Sequence, residues 1–278
     1  MGDWPVGLST GCFYESSIFD RLDLIRDAGF SILEICSYPA HLDYHDRGAC
    51  ERAAARIREL GLEAYSFHAP FSEAIDITSL DPGSRQRALE EILRATEAAA
   101  VLGVRYFVLH PGPEKFGLPR HERLDRMENA AAVLNRVAGR CRELGVGLVL
   151  ENMLPHLFSG PVRDLLWLLG AMETTDVGIC LDTGHAYLSG DIRQVAHKLS
   201  GHLRMVHASD NHGGFDDHLP PGQGAIPWPL LLRQLEEEMF RGTLMLEIAG
   251  KGNPDEILRG AQQARTFLRR LSAGGGAK

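Results

Sequence analysis

SRQRALEEILRATEAAAVLGVRYFVLH (residues 84–110) contains, in one stretch, the unit from which most of the chain is built. Its first part has a helical period: Leu89, Ile92, Leu93 and Ala100 share one face, most charges lie elsewhere, and Thr96 interrupts the apolar face mildly. Gly103 follows, the residue type that most readily takes the left-handed conformation ending a helix. RYFVLH (105–110) then runs mostly apolar on consecutive positions over a length too short for a helix, as a strand covered on both faces should. It finishes in a histidine.

The same alternation extends in both directions. Short apolar runs stand at VGLST (6–10), SILEICS (31–37), EAYSFH (63–68), RYFVLH (105–110), GLVLE (147–151), VGICLD (177–182), LRMVHA (203–208) and TLMLEI (243–248). Gly29, Gly61, Gly145 and Gly242 precede four of the others and read as helix stops. Residues 120–144 and 255–271 repeat the amphipathic pattern. Alternating strand and helix imply a parallel sheet with right-handed crossovers, and eight units predict a closed (β/α)8 TIM barrel. No GxGxxG follows the first run, which weighs against an open dinucleotide-binding sheet. The length, 278 residues, suits one such barrel over 1–271. The tail SAGGGAK (272–278) is expected to be disordered.

Composition narrows the function classes. With 44% hydrophobic and 24% charged residues the chain reads as an ordinary globular protein. The formal charge of −8 opposes polyanion binding in the absence of a local basic patch, so a nucleic-acid partner is not expected. Cys12, Cys36, Cys50, Cys141 and Cys180 are odd in number and form no CxxC, so neither a disulfide framework nor a zinc finger is indicated. MGDWPVGLSTGCF does not read as a signal peptide and no apolar run approaches a membrane span, so a cytoplasmic protein without a membrane partner is expected.

The run ends carry the chemistry. His68 and His110 end the third and fourth runs, Glu151 and Asp182 the fifth and sixth, and His207 and Glu247 fall one residue short of the end of the seventh and eighth. In a closed barrel these ends converge on one rim, where active sites of this fold sit. Imidazole and carboxylate are ligand types for divalent metals, and a buried carboxylate needs a partner. Six such residues at six consecutive strand ends are met together by a metal site. His185 in DTGH, and Asp216 and His218 in the loop HASDNHGGFDDHLPPGQGAIPW, are further candidates.

The order HAPF (68–71), LHPG (109–112), LEN (150–152), LDTGH (181–185), VHASD (206–210), DDH (216–218), PGQG (221–224) and LEI (246–248) resembles the xylose-isomerase-like TIM-barrel superfamily over nearly the whole chain. That superfamily holds sugar and sugar-phosphate isomerases and epimerases, and abasic-site nucleases of the endonuclease IV type. The isomerase branch implies metal ligands Glu151, Asp182, His207 and Glu247, one Mn²⁺-like ion on a small sugar, sugar phosphate or polyol, and Glu151 and Glu247 as acid and base about an enediolate. The nuclease branch implies three zinc ions on His68, His110, Glu151, Asp182, His185, His207, Asp216, His218 and Glu247, all matched here. One to three ions, manganese or zinc, are thus expected.

Surface chemistry favours the sugar reading. The loop 68–84 carries Glu73, Asp76 and Asp81, and the loop 207–228 carries Asp210, Asp216 and Asp217; neither has a lysine or arginine, where a DNA-binding mouth needs basic or amide-rich edges. Glu34 in ILEIC resembles a residue of the sugar isomerases and is expected, with His185, to reach substrate. The ketose 3-epimerases carry a further Glu after the fifth-strand ligand and an Arg after the seventh, where this chain has Phe158 and Gly213 nearby. The reading adopted is a metal-dependent isomerase or epimerase, the alternative a metal-dependent phosphodiesterase.

Overall fold

The computed structural model describes residues 3–250 and 252–274. Every apolar run forms a strand: β1 (Val6–Ser9), β2 (Ile32–Cys36), β3 (Glu63–His68), β4 (Tyr106–Leu109), β5 (Gly147–Glu151), β6 (Gly178–Asp182), β7 (Leu203–Ala208) and β8 (Thr243–Leu246). They pair parallel in chain order, and β8 returns to β1. The barrel predicted from the sequence is the fold observed.

The helices are α1 (Leu22–Asp27), α2 (Arg47–Glu59), α3 (Pro82–Leu102), α4 (Arg123–Leu144), α5 (Val162–Gly170), α6 (Thr183–Leu188), α7 (Ile192–Leu199), α8 (Trp228–Glu237) and α9 (Pro254–Gly274). Helix α3 shows how the sequence sets its limits. Asp81 accepts a hydrogen bond from the Ser84 amide at 2.7 Å, Pro82 occupies the first turn, and Gly103 closes the helix at φ +73°. Leu89, Ile92 and Thr96 are buried on its inner face, and the Thr96 hydroxyl donates to the Leu93 carbonyl at 2.7 Å, which lets a polar residue lie there. Gly242 departs from expectation. Helix α8 has already ended, Met239 takes the positive φ, and a Cβ on residue 242 would lie 2.0 Å from the Arg204 carbonyl oxygen. This glycine permits close passage of backbone against β7 and is not a helix stop. Residues 272–274, expected to begin a disordered tail, continue α9, and 275–278 lie outside the described residues.

Two apolar layers result. The larger lies between strands and helices, with Phe67, Phe107, Leu134, Leu231 and Leu268 in it. The smaller fills the barrel: Tyr65, Val108, Val149, Cys180, Met205 and Met245. Among the described residues no helix is long and apolar enough to cross a membrane.

Candidate active site

Strand geometry converts the interior layer into a site. Successive side chains point to opposite faces, so the residue two places beyond an inward one points inward again. Val108, Val149, Cys180, Met205 and Met245 fill the barrel, and two residues on stand His110, Glu151, Asp182, His207 and Glu247. The apolar member plugs the barrel beneath, and the polar member faces the mouth.

Glu151 is the centre of the group. Its Oε2 lies 3.3 Å from His68 Nε2, 3.4 Å from His110 Nε2 and 3.3 Å from His207 Nδ1. His207 Nδ1 is also 3.1 Å from Glu247 Oε2. Asp216 Oδ2 lies 3.2 Å from His185 Nε2 and 3.0 Å from His218 Nε2. Three sets offer donor atoms all within 4.8 Å of one another: His68, Glu151 and His207; Glu151, Asp182, His207 and Glu247; and His185, Asp216 and His218. All nine residues expected at the site are brought together, with His110 joined through Glu151.

Four of the five imidazoles are fixed by a hydrogen bond at the other nitrogen, and His110 has a carboxylate beside it there. His68 Nδ1 faces the Ala69 carbonyl at 2.9 Å, His185 Nδ1 the Asn152 carbonyl at 2.8 Å, and His218 Nδ1 the Glu247 carbonyl at 3.0 Å. His207 Nε2 faces Glu34 Oε2 at 3.0 Å, and His110 Nδ1 lies 3.2 Å from Glu114 Oε1. A nitrogen facing a carbonyl must donate, so in the neutral ring the opposite nitrogen presents a lone pair inward; metal-binding histidines are oriented in this way. The inward atoms meet without satisfying one another. Glu151 Oε2, Asp182 Oδ2, His207 Nδ1 and Asp216 Oδ1 are buried with no hydrogen-bond partner. Orphaned donor atoms converging from separate strands fit a divalent cation, which would satisfy them together.

The electrostatics agree. Burial raises the Asp182 carboxyl to about 7, and the charges of Glu151, Glu247 and Asp216 add to this against His185. Burial also opposes ionisation of Glu151, but the His207 and His110 imidazoles outweigh it and hold that carboxyl well below the usual range. Glu247, under the same opposition, is held at about 2 by His207. Burial disfavours a charged His110 or His218, yet Glu151 and Glu114 push the first to about 9, and Asp216 and Glu247 push the second to about 10. Without a metal, the carboxylates draw protons onto the imidazoles.

Two cavities open above these residues. One of about 420 Å³ is walled by Tyr14, Tyr38 and Phe71 and reaches Glu247. The other, about 300 Å³, is walled by Phe71, Phe116 and His156 and reaches both Glu151 and Glu247. Among the described residues, neither is lined by a lysine or an arginine.

Glu34 requires a correction. It is fully buried, holds His207, and accepts from the Ser66 hydroxyl at 2.8 Å; it lines neither cavity. Its Oε2 lies beneath the donors and positions His207, a structural place and not one at the mouth. His185 does line the second cavity. The acidic-loop reading also changes. Asp76 pairs with Arg126 of α4 at 3.4 Å, and Asp81 caps α3. Asp210 is fully buried: its carboxylate accepts from the amides of Asn211, Gly222 and Ile226 and from Trp228 Nε1, folding the loop that presents Asp216 and His218. Of the loop acids, Asp216 and Asp217 do line the first cavity and set its charge together with Glu247.

Sequence reasoning missed three supporting residues. Asn152 accepts from the Asp182 amide at 2.8 Å and donates to its carbonyl at 3.0 Å, tying β5 to β6 while its own carbonyl holds His185. Glu114 faces His110, and Ser66 faces Glu34. Asn152 could have been found as the polar residue after the Glu151 ligand; nothing in the sequence singles out the other two.

The comparisons with known proteins agree with this architecture. A ketose 3-epimerase of Arthrobacter globiformis is 27% identical over 244 residues, covering 86% of this chain and 80% of that one. A probable endonuclease 4 of Nitratidesulfovibrio vulgaris is 32% identical over 214 residues, covering 68% and 73%. The crystal structure of a D-tagatose 3-epimerase-like protein superposes with a TM-score of 0.84 at 25% identity, covering 97% of each chain. Residues 22–271 match the profile of the xylose isomerase-like TIM barrel. The resemblance read from the motifs is therefore one of descent, and the chain belongs to the xylose isomerase-like TIM barrel family.

Proposed function

We propose that the protein is a divalent-metal-dependent isomerase or epimerase acting on a small sugar or polyol. The observation that carries this reading is the placement of Glu151 and Glu247. Both face His207 Nδ1, at 3.3 and 3.1 Å, and both line one cavity of about 300 Å³ that has no lysine or arginine. Paired carboxylates at one cavity suit proton removal from a carbon next to a carbonyl and proton return to a neighbouring position or face. Both are held in the ionised state by the imidazoles around them, so either can accept a proton. A divalent ion, manganese or zinc, held by Glu151, Asp182, His207 and Glu247 would polarise the substrate carbonyl and stabilise the charge that develops on its oxygen. Kinship with a ketose 3-epimerase and a D-tagatose 3-epimerase-like fold supports the same chemistry. The carboxylates lining both cavities favour an unphosphorylated substrate.

A second reading rests on a specific observation. His68 and His110 each face Glu151 Oε2, His185, Asp216 and His218 form a donor set of their own, and enolisation at one ion has no evident use for them. Three ions would suit phosphodiester hydrolysis, where attacking and leaving oxygens both need charge stabilisation. One assay pair separates the readings. Manganese-loaded protein incubated with ketoses in deuterated water should place deuterium next to the carbonyl, and Glu151→Gln should abolish this. Metal-dependent nicking of a duplex at an abasic site, with no exchange into any ketose, would overturn the proposal in favour of the phosphodiesterase.

A further inference from the structure

The mouth is larger than one sugar ring requires, and its surplus is aromatic. At about 30 Å³ for each water-sized volume, a hexose of roughly six waters occupies about 180 Å³. The cavity lined by both Glu151 and Glu247, about 300 Å³, already accommodates that ring with room for ordered water. The second cavity, about 420 Å³, adjoins it across Phe71, His68 and Glu247, which line both. It lacks Glu151 and therefore lacks the carboxylate pair.

What it offers instead is a continuous aromatic wall. Tyr14 and Tyr38 lie 4.9 Å apart between ring centroids, and Tyr38 meets Phe71 edge-on at 6.1 Å. Their exposures are 38%, 42% and 36%, although large aromatic side chains gain most when covered. Ser9 and Ser37 on the same lining can hydrogen-bond hydroxyls. Flat apolar faces beside hydroxyl and carboxylate acceptors (Asp216, Asp217 and Glu247 complete the lining), with no lysine or arginine among the described residues there, match the C–H face and hydroxyl rim of a neutral pyranose or furanose ring.

Resting on the isomerase reading above, we infer that the substrate is an uncharged two-ring glycoside. The reacting ring occupies the cavity of Glu151 and Glu247, and the second ring lies against Tyr14, Tyr38 and Phe71. The glycosidic bond passes over Phe71 and is not broken; the second ring supplies binding and orientation only.

The test uses full-length, manganese-loaded protein and direct binding measured by calorimetry, so it does not depend on turnover. The probes are cellobiose, maltose, lactose and sucrose, their constituent monosaccharides, and glucose 6-phosphate. At least one disaccharide should bind about tenfold more tightly than either of its monosaccharides, equivalent to about 1.4 kcal/mol. Tyr38→Ala should reduce that preference to about twofold or less, and Tyr38→Phe, which keeps the ring, should restore it. Monosaccharides binding as tightly as every disaccharide would overturn the two-ring inference and leave the isomerase reading standing. Tightest binding of glucose 6-phosphate would overturn the claim that the ligand is uncharged. No sugar binding, together with abasic-site nicking, would overturn both readings.

Discussion

Replacing Glu34 by glutamine tests whether the imidazole set is built for metal. Glu34 is fully buried, its Oε2 is 3.0 Å from His207 Nε2, and it touches neither cavity. Glutamine keeps the length and shape of the side chain and an oxygen that can accept from His207, so packing is preserved while the negative charge is removed. That charge makes His207 Nδ1 a stronger donor on the opposite side of the ring. Loss of such an outer partner costs about 10–100-fold in metal affinity, or about 1.4–2.7 kcal/mol. The number of ions bound at saturation should not change, because Glu34 is not itself among the converging donors. Competition against a fluorescent chelator gives the affinity, and elemental analysis of the saturated protein gives the stoichiometry. An unchanged affinity would refute the positioning role. Loss of an ion at saturation would make Glu34 a ligand and refute the placement beneath the site.

Four other outcomes follow from the same geometry. The double change Glu151→Gln, Glu247→Gln should remove at least one ion, since a neutral amide is a poorer ligand for a hard cation; elemental analysis showing full metal content would count against this centre. Asn152→Ala leaves the buried amide of Asp182 unpaired, at about 1–3 kcal/mol, and should lower Tm by several degrees; a melt within a degree of the parent protein would show that the β5–β6 tie carries little. Metal binding at neutral pH should release protons, because His110 and His218, raised to about 9 and about 10 in the metal-free protein, must become neutral to coordinate; heats independent of the buffer's ionisation enthalpy would refute this. Asp210→Asn should weaken ligation by His218 and Asp216 through the loop it folds, seen as a lower metal affinity with Glu151 and His207 intact.

How much of this was legible depends on how far apart in sequence the partners lie. The barrel was readable because each strand, covered on both faces, is an apolar run bounded by helical periodicity. The converging donors were readable because a period of two makes Val149 predict Glu151 and Met205 predict His207 once the strand end is known. Glu34 was misread because its depth depends on register. It pairs with Ser66 across a shift in the β2–β3 ladder that places it level with His207 Nε2 rather than at the mouth. Asp76 looked like free negative charge because Arg126, its partner, arrives from α4, 50 residues away. Asp210 looked exposed because no local pattern announces that four donors will converge on it. Gly242 read as a helix stop because proximity to β7 is invisible in one dimension.

The count of ions and the protonation of the site are one question. Glu34, Glu151, Asp182, Asp216 and Glu247 place five carboxylates around five imidazoles, and among the described residues neither cavity is lined by a lysine or arginine. With every carboxylate ionised, one divalent ion leaves three negative charges uncompensated in a poorly solvated region, and a buried charge without a partner costs several kcal/mol. Three imidazolium ions would balance them, and His68, His110, His185 and His218 are all pushed toward that form. Three divalent ions would offset all five carboxylates with every imidazole neutral and ligating, and leave one positive charge over. The same side chains thus support a one-ion state favoured at lower pH and a three-ion state favoured as His110 and His218 lose their protons. The first leaves charged imidazoles beside the substrate of an isomerase; the second assembles the cluster a phosphodiesterase needs. Ion content measured across the range in which those histidines titrate therefore bears directly on which chemistry the barrel performs.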